Sequence, residues 1–410
     1  MSSLIWSGRL VGATIPMAAS LLALPVHAQS QAAPQPITQD EAVSRALAVP
    51  DWRAAGEGRR DAARAEADGV RRFDNPSLEV RRGSVSGPGE DETEWEAEVV
   101  QSLDLTGRRA SLRRAAEAEA DAVDLEVRRA DQERVAAVRR AWVECAVASR
   151  KADLSRRFSA RLAAVERIVS ERTDAGDVAI YDLRRMRVEA RTAEAEAAIL
   201  EAEVGAACAG LSALTDTTGA RAAGPLLAPM PAEAVVADRP DLRAGERRAE
   251  AARQQVRAAD RSRLPELEFG LGWKRLETMG IEADGPQFSV GLTLPLFDNG
   301  SARARQARAE ERAAAAELAL DRRTVDGEIA AAAARVDGLL AALTAAIETH
   351  DDAQRLGAAA QTAYEAGEGD VTELVDAYRA AHAADLFITE LTGRANLAVI
   401  ELDLARGGQP

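Results

Sequence analysis

Aromatic residues make up only 3% of this 410-residue chain, cysteine occurs twice and histidine three times. So few rings leave little for a broad globular core, and the weight of Ala, Arg and Glu favours long helices. A zinc site needs at least three converging Cys, His or carboxylate ligands, and no stretch has that spacing. His350 and His382 lie on helical stretches, and His382 follows Val371, Val375 and Tyr378 at helical spacing, a packing position. There is no glycine-lysine phosphate loop, hence no sign of ATP use. No catalytic constellation is present, so the chain is expected to be no enzyme and to hold no cofactor or metal. Positive charge is in deficit too. The formal net charge of −15 argues against nucleic acid and against an anionic membrane face as partners.

A long apolar run is expected at the start only. Arg9, the apolar stretch from Leu10 to Leu24 and the small residues around His27 and Ala28 read as a secretory signal, residues 1–28. Its removal takes away Arg9 and leaves −15 − 1 = −16. Residue 29 is Gln, so the exported chain is expected not to be a lipoprotein. No later segment is expected to approach the ~20 apolar residues of a membrane helix.

What the chain does contain is a repeat. "FDNPSLEV" (Phe73–Val80) answers to "SRLPELEF" (Ser262–Phe269), and "LDLTGRRA" (Leu103–Ala110) to "LFDNGSAR" (Leu296–Arg303). "AGDVAIYDL" (Ala175–Leu183) answers to "AGEGDVTEL" (Ala366–Leu374). The landmark pairs Pro76 and Pro265, Gly107 and Gly300, and Gly176 and Gly367 stand 189, 193 and 191 positions apart. Landmarks in step imply an internal duplication, with repeats at 29–228 and 229–410. Each is expected to run helix, two strands, very long helix, acidic turn and second long helix.

Strands are expected within 77–105 and 266–296. In the first pair Trp95, Ala97 and Val99 oppose Glu94, Glu96 and Glu98. In the second, Phe269, Leu271 and Trp273 oppose Gly270, Gly272 and Lys274, and Phe288 and Leu292 oppose Gln287 and Gly291. Arg81 and Arg82 blur the strand that begins near Leu78. Alternation suits a soluble sheet packed on helices. Segments of ~10 residues with aromatics on the apolar side also suit lipid-facing barrel strands, with Trp95, Val99, Phe269, Leu271, Trp273, Phe288 and Leu292 toward lipid. Helical hairpins are expected at 108–214 and 301–405. In the first, Val135, Val138, Trp142, Cys145 and Ser149 step by three and four, as do Leu183, Met186, Ala190, Ala193, Ala197, Leu200, Val204, Ala207, Leu211 and Leu214. That is an antiparallel coiled-coil seam. A lipid-embedded sheet cannot keep free edges, so four strands must close with other copies. Three copies give twelve strands, room for a pore, and twelve long helices able to continue it as a tube. The expected fold is mainly α with a membrane β-barrel part: an α-barrel of hairpins joined to a 12-stranded barrel in a homotrimer.

With these parts in order, the chain resembles the TolC-type outer membrane factor family. The motifs are "NPSLEV", "VVQSLDLTGRRASLRRAAEAEA", "LTLPLFDNGSARARQARAE" and "YEAGEGDVTELVDAYRA". The "LPLFDNG" turn and the lack of a lipidation cysteine are most similar to the CzcC-like heavy-metal branch. The resemblance implies a passive duct in the outer membrane of a Gram-negative bacterium, extending into the periplasm. It also implies a periplasmic adaptor (membrane fusion protein), a proton-driven inner-membrane pump, heavy-metal cations as cargo, and a girdling domain around 215–245 and the C-terminal end. Drug efflux and type I protein secretion use similar ducts. A soluble periplasmic coiled-coil scaffold is the alternative from another class, and the adaptor itself a third, disfavoured by the duplication.

Two sets of residues carry specific expectations. Asp174, Gly176, Asp177, Gly367, Glu368, Asp370 and Glu373 sit at the hairpin tips. Their carboxylates either favour solvated helix starts or, as the resemblance suggests, ring a periplasmic mouth where the adaptor docks and cations are selected. Cys145 and Cys208 lie 31.5 positions either side of the first tip, so an antiparallel hairpin brings them level, roughly 47 Å from it. They either bridge or pack as two small thiols.

Overall fold

The computed structural model describes residues 34–71, 74–87, 90–226, 229, 239–278 and 280–408. The expected signal at 1–28 lies outside them. So do 227–228 and 230–238, which hold the expected boundary between repeats and part of the 215–245 girdle.

The first half runs β1 (Gln35–Ile37), α1 (Gln39–Ala48), α2 (Pro50–Arg71), β2 (Ser77–Gly87), β3 (Glu90–Leu103), α3 (Arg108–Asp174) and α4 (Ile180–Thr215). β4 (Ala220–Ala222) closes that half, and the second runs α5 (Pro240–Arg261), β5 (Glu266–Thr278), β6 (Ile281–Thr293), α6 (Ser301–Ala366) and α7 (Val371–Ala405). One opening helix was expected in the first half and two are present. Pro50 is the cause: it brings no N–H and pushes Val49 out of the helical region, to φ −55 and ψ 123. Strands β1 and β4 were not expected. Three residues each, they pair in parallel, Gln35 opposite Ala220, with Ile37 fully buried.

The main sheet has the order β2-β3-β5-β6, antiparallel throughout. Its register sets Leu78, Val99, Leu271 and Phe288 in one row, with Glu79, Glu98, Gly272 and Gln287 in the next. Because side chains alternate, these rows fall on opposite faces. Arg81 fits the polar face, pairing with Glu79 and Glu96. Arg82 breaks the pattern, sharing its row with Trp95, Arg275 and Asp284, and its guanidinium lies 4.9 Å above the Trp95 ring.

Helix α3 has 67 residues and contains no glycine or proline, so it runs unbroken for roughly 100 Å. Its junction with β3 is clamped. The Asp104 carboxylate accepts the backbone N–H of Thr106 at 3.0 Å and of Arg109 at 2.6 Å. Arg261 of α5 donates to the Gly107 carbonyl at 2.6 Å and to Ser111 Oγ at 2.8 Å. Gly107 takes φ +73, where a side chain would be strained.

Along α4 the seam follows Leu183, Met186, Ala190, Ala193, Ala197 and Val204, then passes through Cys208, Leu211 and Thr215 rather than Ala207 and Leu214. A straight helix drifts against a strict heptad, and two 11-residue steps, 197 to 208 and 204 to 215, absorb the drift. A second expectation also needs correction. Helices α4 and α6 each carry an 18-residue window of mean hydropathy 1.5, apolar enough to cross a membrane. Alanine produces this, and both helices lie along an antiparallel partner instead, α4 on α3 and α6 on α7.

The two largest buried clusters sit at different levels of the hairpins. One gathers Ile37, Trp142, Cys145, Cys208, Leu211 and Ala220 where β1 and β4 cross the first hairpin. The other lies toward the tips and joins Phe158, Leu162 and Val169 of α3 to Met186 of α4 and to Leu374, Val375 and Tyr378 of α7.

Candidate functional site: sheet faces and hairpin tips

All seven residues expected to face lipid stand exposed on one face of the sheet. Phe288 is the most exposed, at 77%, and Phe269 the least, at 42%. The opposite face is polar and crowded. Glu98 is 4% exposed and accepts a hydrogen bond from the Ser289 hydroxyl, while Gln287 donates to Glu96 and Lys274 pairs with Glu94. The Glu98 side chain lies across β5 because Gly270 leaves room: a Cβ there would overlap both the carboxylate and Ser289 Oγ. An apolar face turned outward and carboxylates turned inward is the reverse of a soluble sheet with a dry core.

At the first tip α3 ends on Asp174, and the chain reverses through Gly176 at φ +86. The Asp177 N–H closes the turn on the Arg172 carbonyl at 2.9 Å. Asp174, Gly176 and Asp177 are exposed, as are Ile180 and Tyr181 beside them. At the second tip Gly367 takes φ +76, and the Glu368 N–H reaches the Ala363 carbonyl at 2.9 Å. Both are exposed, with Asp370 and Glu373. Asp370 caps α7, its carboxylate accepting the Glu373 N–H at 2.8 Å. One oxygen is thereby engaged locally, as a solvated helix start requires.

Between the hairpins runs a seam that sequence reasoning missed. Lys151 of α3 meets Glu390 of α7 at 2.9 Å, and Arg379 of α7 pairs with Glu189 of α4. Arg185 donates to Thr372 Oγ1 at 3.3 Å. The His382 ring stacks on Phe158, centroids 4.3 Å apart and planes 6° from parallel, with Nε2 3.3 Å from Ser155 Oγ. Burial holds the His382 pKa below its ordinary value, with Asp385 and Glu196 pulling the other way. His350 Nε2 lies 2.9 Å from Asp385 Oδ1 and ties α6 to α7. Partners lie up to 239 positions apart, and no local pattern marks them. Near the tips a cavity of about 620 Å³ separates α3 from α6 and α7, lined by Arg161, Ile168, Gln354, Tyr364 and Tyr378 among others.

Cys145 and Cys208 are joined by a disulfide, their Cα atoms 4.6 Å apart. Among the described residues no group of three or more His, Cys, Asp or Glu is placed to hold a metal ion.

The chain thus joins antiparallel helical hairpins to a four-stranded sheet with one exposed apolar face and one polar face. Residues 232–408 match the family model described as outer membrane efflux protein. Its fold is similar to a membrane protein from Pseudomonas aeruginosa, with TM-score 0.76 and 21% identity over 90% of this chain and 93% of that one. It is likewise similar to the outer membrane protein VceC from Vibrio cholerae, with TM-score 0.75 and 19% identity over 90% and 96%. CusC, described as forming a transmembrane channel, gives TM-score 0.75 and 18% identity over 90% and 92%. No curated protein sequence matches the chain.

Proposed function

We propose that three copies close their sheets into a 12-stranded barrel in the outer membrane of a Gram-negative bacterium. Their hairpins continue it as an α-helical tube into the periplasm, and the chain works as the passive duct of a tripartite efflux system. The observation that carries this reading is the sheet: β2 and β6 are free edges of 11 and 13 residues beside an exposed apolar face. In lipid such edges must be paired. They run in opposite directions, so β6 of one copy meets β2 of the next antiparallel, the geometry a closed barrel needs.

An internal duplication, with repeats at 29–228 and 229–410, accounts for the common element order of the halves. Asp174, Asp177, Glu368, Asp370 and Glu373 line the periplasmic mouth, and Gly176 and Gly367 let the adaptor's backbone approach closely. The groove beside Arg161 and Tyr378 receives the adaptor. An inner-membrane pump, proton-driven in the CzcC-like branch, supplies the energy, and the cargo is heavy-metal cations. Trp95, Val99, Phe269, Leu271, Trp273, Phe288 and Leu292 contact acyl chains or the interface. Exported without a lipid anchor, the chain performs no catalysis.

Conductance in planar bilayers tests the duct. Purified protein should insert as discrete channels, and neutralising Asp370 and Glu373 together should raise conductance and weaken block by multivalent cations. Unchanged conductance and block would return these carboxylates to the helix-start role. A chain that stays soluble without detergent and gives no heat-modifiable oligomer defeats the duct altogether and leaves the periplasmic scaffold.

A further inference from the structure

The Cys145–Cys208 bridge is sealed. Both residues are 0% exposed, although they sit on two helices of an otherwise open hairpin. The seal is made by β1, distant in sequence from both cysteines, and by β4, which follows α4. Ile37, at the end of β1, accepts the Trp142 Nε1–H at 2.9 Å and the Ala223 N–H at 2.9 Å. The Ala222 N–H of β4 points at Cys145 Sγ at 3.3 Å, and Gln35 is tied to the Gly219 carbonyl at 2.9 Å. Ile37 and Ala220 are themselves 0% exposed and pack in the same cluster as the sulfurs. The parallel β1–β4 pair is thus a lid over the bridge.

Thiol–disulfide exchange proceeds by direct attack of a thiolate on a sulfur, along the line of the bond that breaks, so the partner must touch the sulfur. The lidded hairpin offers no such approach. We propose that the bridge is made before β1 docks on β4, by a disulfide-bearing oxidant that acts on the newly exported chain while the α3–α4 hairpin is still open. One cysteine thiolate attacks the oxidant's disulfide, forms a mixed disulfide and releases an oxidant thiolate. The second cysteine thiolate then attacks the cysteine sulfur of that mixed disulfide, closing Cys145–Cys208 and releasing the oxidant as a dithiol. Two electrons and two protons pass from the cysteine pair to the oxidant, and no other reactant is needed. An oxidising compartment holds such oxidants, so this inference rests on the export reading.

The experiment uses purified full-length protein in detergent and reads thiols by alkylation and mass. The same access is required in both directions, so dithiothreitol should reduce the native bridge at least about 100-fold more slowly than the bridge in denaturant. Reduction at comparable rates overturns the proposal. In a second arm the reduced, denatured chain is refolded with oxidised glutathione, with a purified protein dithiol oxidase in its disulfide form, or with air alone. Each oxidant is added either before dilution or after the helical signal has reached that of the bridged chain refolded alongside. Fast bridging by either disulfide when added before, and slow bridging when added after, supports the order; the two disulfide arms tell protein from small-molecule oxidant. A reduced chain that never gains the helical signal also supports it. Equal rates before and after overturn it, as does air alone matching both disulfides. None of these readouts depends on conductance or insertion, so a failed duct and a failed lid are told apart.

Discussion

Helix α3 buries 22 of its 67 residues within one copy of the chain, whereas α6 buries eight of 66. The difference comes from neighbours. Helix α3 is flanked by α2, α4, α5 and α7, while α6 has α5 and α7. It extends to chemistry as well. Shifting Cys145 by the 191 positions between the tips gives Val336, which packs on Ala398 and Leu402 with no covalent tie. Helix α3 contains no glycine, but α6 has Gly327 and Gly338, at which a Cβ would meet nothing within 4 Å. Helix α3 is therefore covered more completely within one copy than α6, although Val188 and Ile199 of its partner α4 stay exposed at 66% and 60%. Helix α6 leaves Leu320, Ile347 and Leu356 exposed at 59%, 43% and 53%, a face that in the proposed trimer a neighbouring copy covers.

The largest effect should come from cutting the one covalent tie. Replacing Cys145 and Cys208, 63 positions apart, by Ala should lower unfolding stability by about 4 kcal/mol. Denaturant titration checks it, and a loss no larger than that of Val336→Ala erases the contrast between the hairpins. Next, Leu271→Arg at mid-sheet should impair assembly by roughly 2–4 kcal/mol, read as oligomer yield in detergent. Gly272→Ser on the polar face should also harm, through crowding against the Ala97 carbonyl and Glu98, but without lipid dependence. Asp370→Ala removes the α7 cap and should cost about 1 kcal/mol, while Ala179→Ser, at the uncapped start of α4, should gain a smaller amount. Smaller still are Gly327→Ala and Gly338→Ala, each expected to stabilise α6 by about 0.5–1 kcal/mol in the single chain. Loss of the proposed trimer from either would show that a neighbour's backbone approaches there.

The seam between the hairpins should respond to pH. Because the folded-state pKa of His382 is depressed, its contribution is full above the ordinary value near 6.5 and is lost as pH falls from there toward the folded value. The protection factors of α7 amides near residue 382, taken relative to the base-catalysed intrinsic exchange rate at each pH, should therefore fall between pH 7 and pH 5, and His382→Gln should flatten that response. An unchanged slope in the variant would overturn the assignment to His382.

Much of this architecture was legible in the sequence because two periodicities carry it. The two-residue alternation of Phe269, Leu271 and Trp273 and the three–four spacing of Leu183, Met186 and Ala190 each report a face directly. Strands β1 and β4 were illegible for the complementary reason: three residues hold too few alternations to stand out. Pro50 was in plain view, yet the helical pattern on both sides masked the break it makes. The seam on Cys208 needed the drift of a straight helix, which a heptad count omits. Phe158 and His382, or Lys151 and Glu390, touch only because the second hairpin lies against the first, a tertiary fact that neither residue's surroundings encode. Glu98 read as one of several glutamates facing water; its burial depends on Gly270, a neighbour across the sheet.

The clamped start of α3 has a mechanical consequence. With Asp104 and Arg261 fixing the first turn and no breaker over about 100 Å, the helix behaves as a pointer rather than a chain of links. Tilting it by about 1° at the sheet sweeps its far end through roughly 1.7 Å, over half the length of a hydrogen bond. Angular play too small to disturb a strand pair is thus magnified into a displacement that can part Lys151 from Glu390 part-way along, and more beyond them. Any device that reads or sets the position of the tips works with that gearing, and precision at the tips is set by stiffness at the opposite end of the molecule.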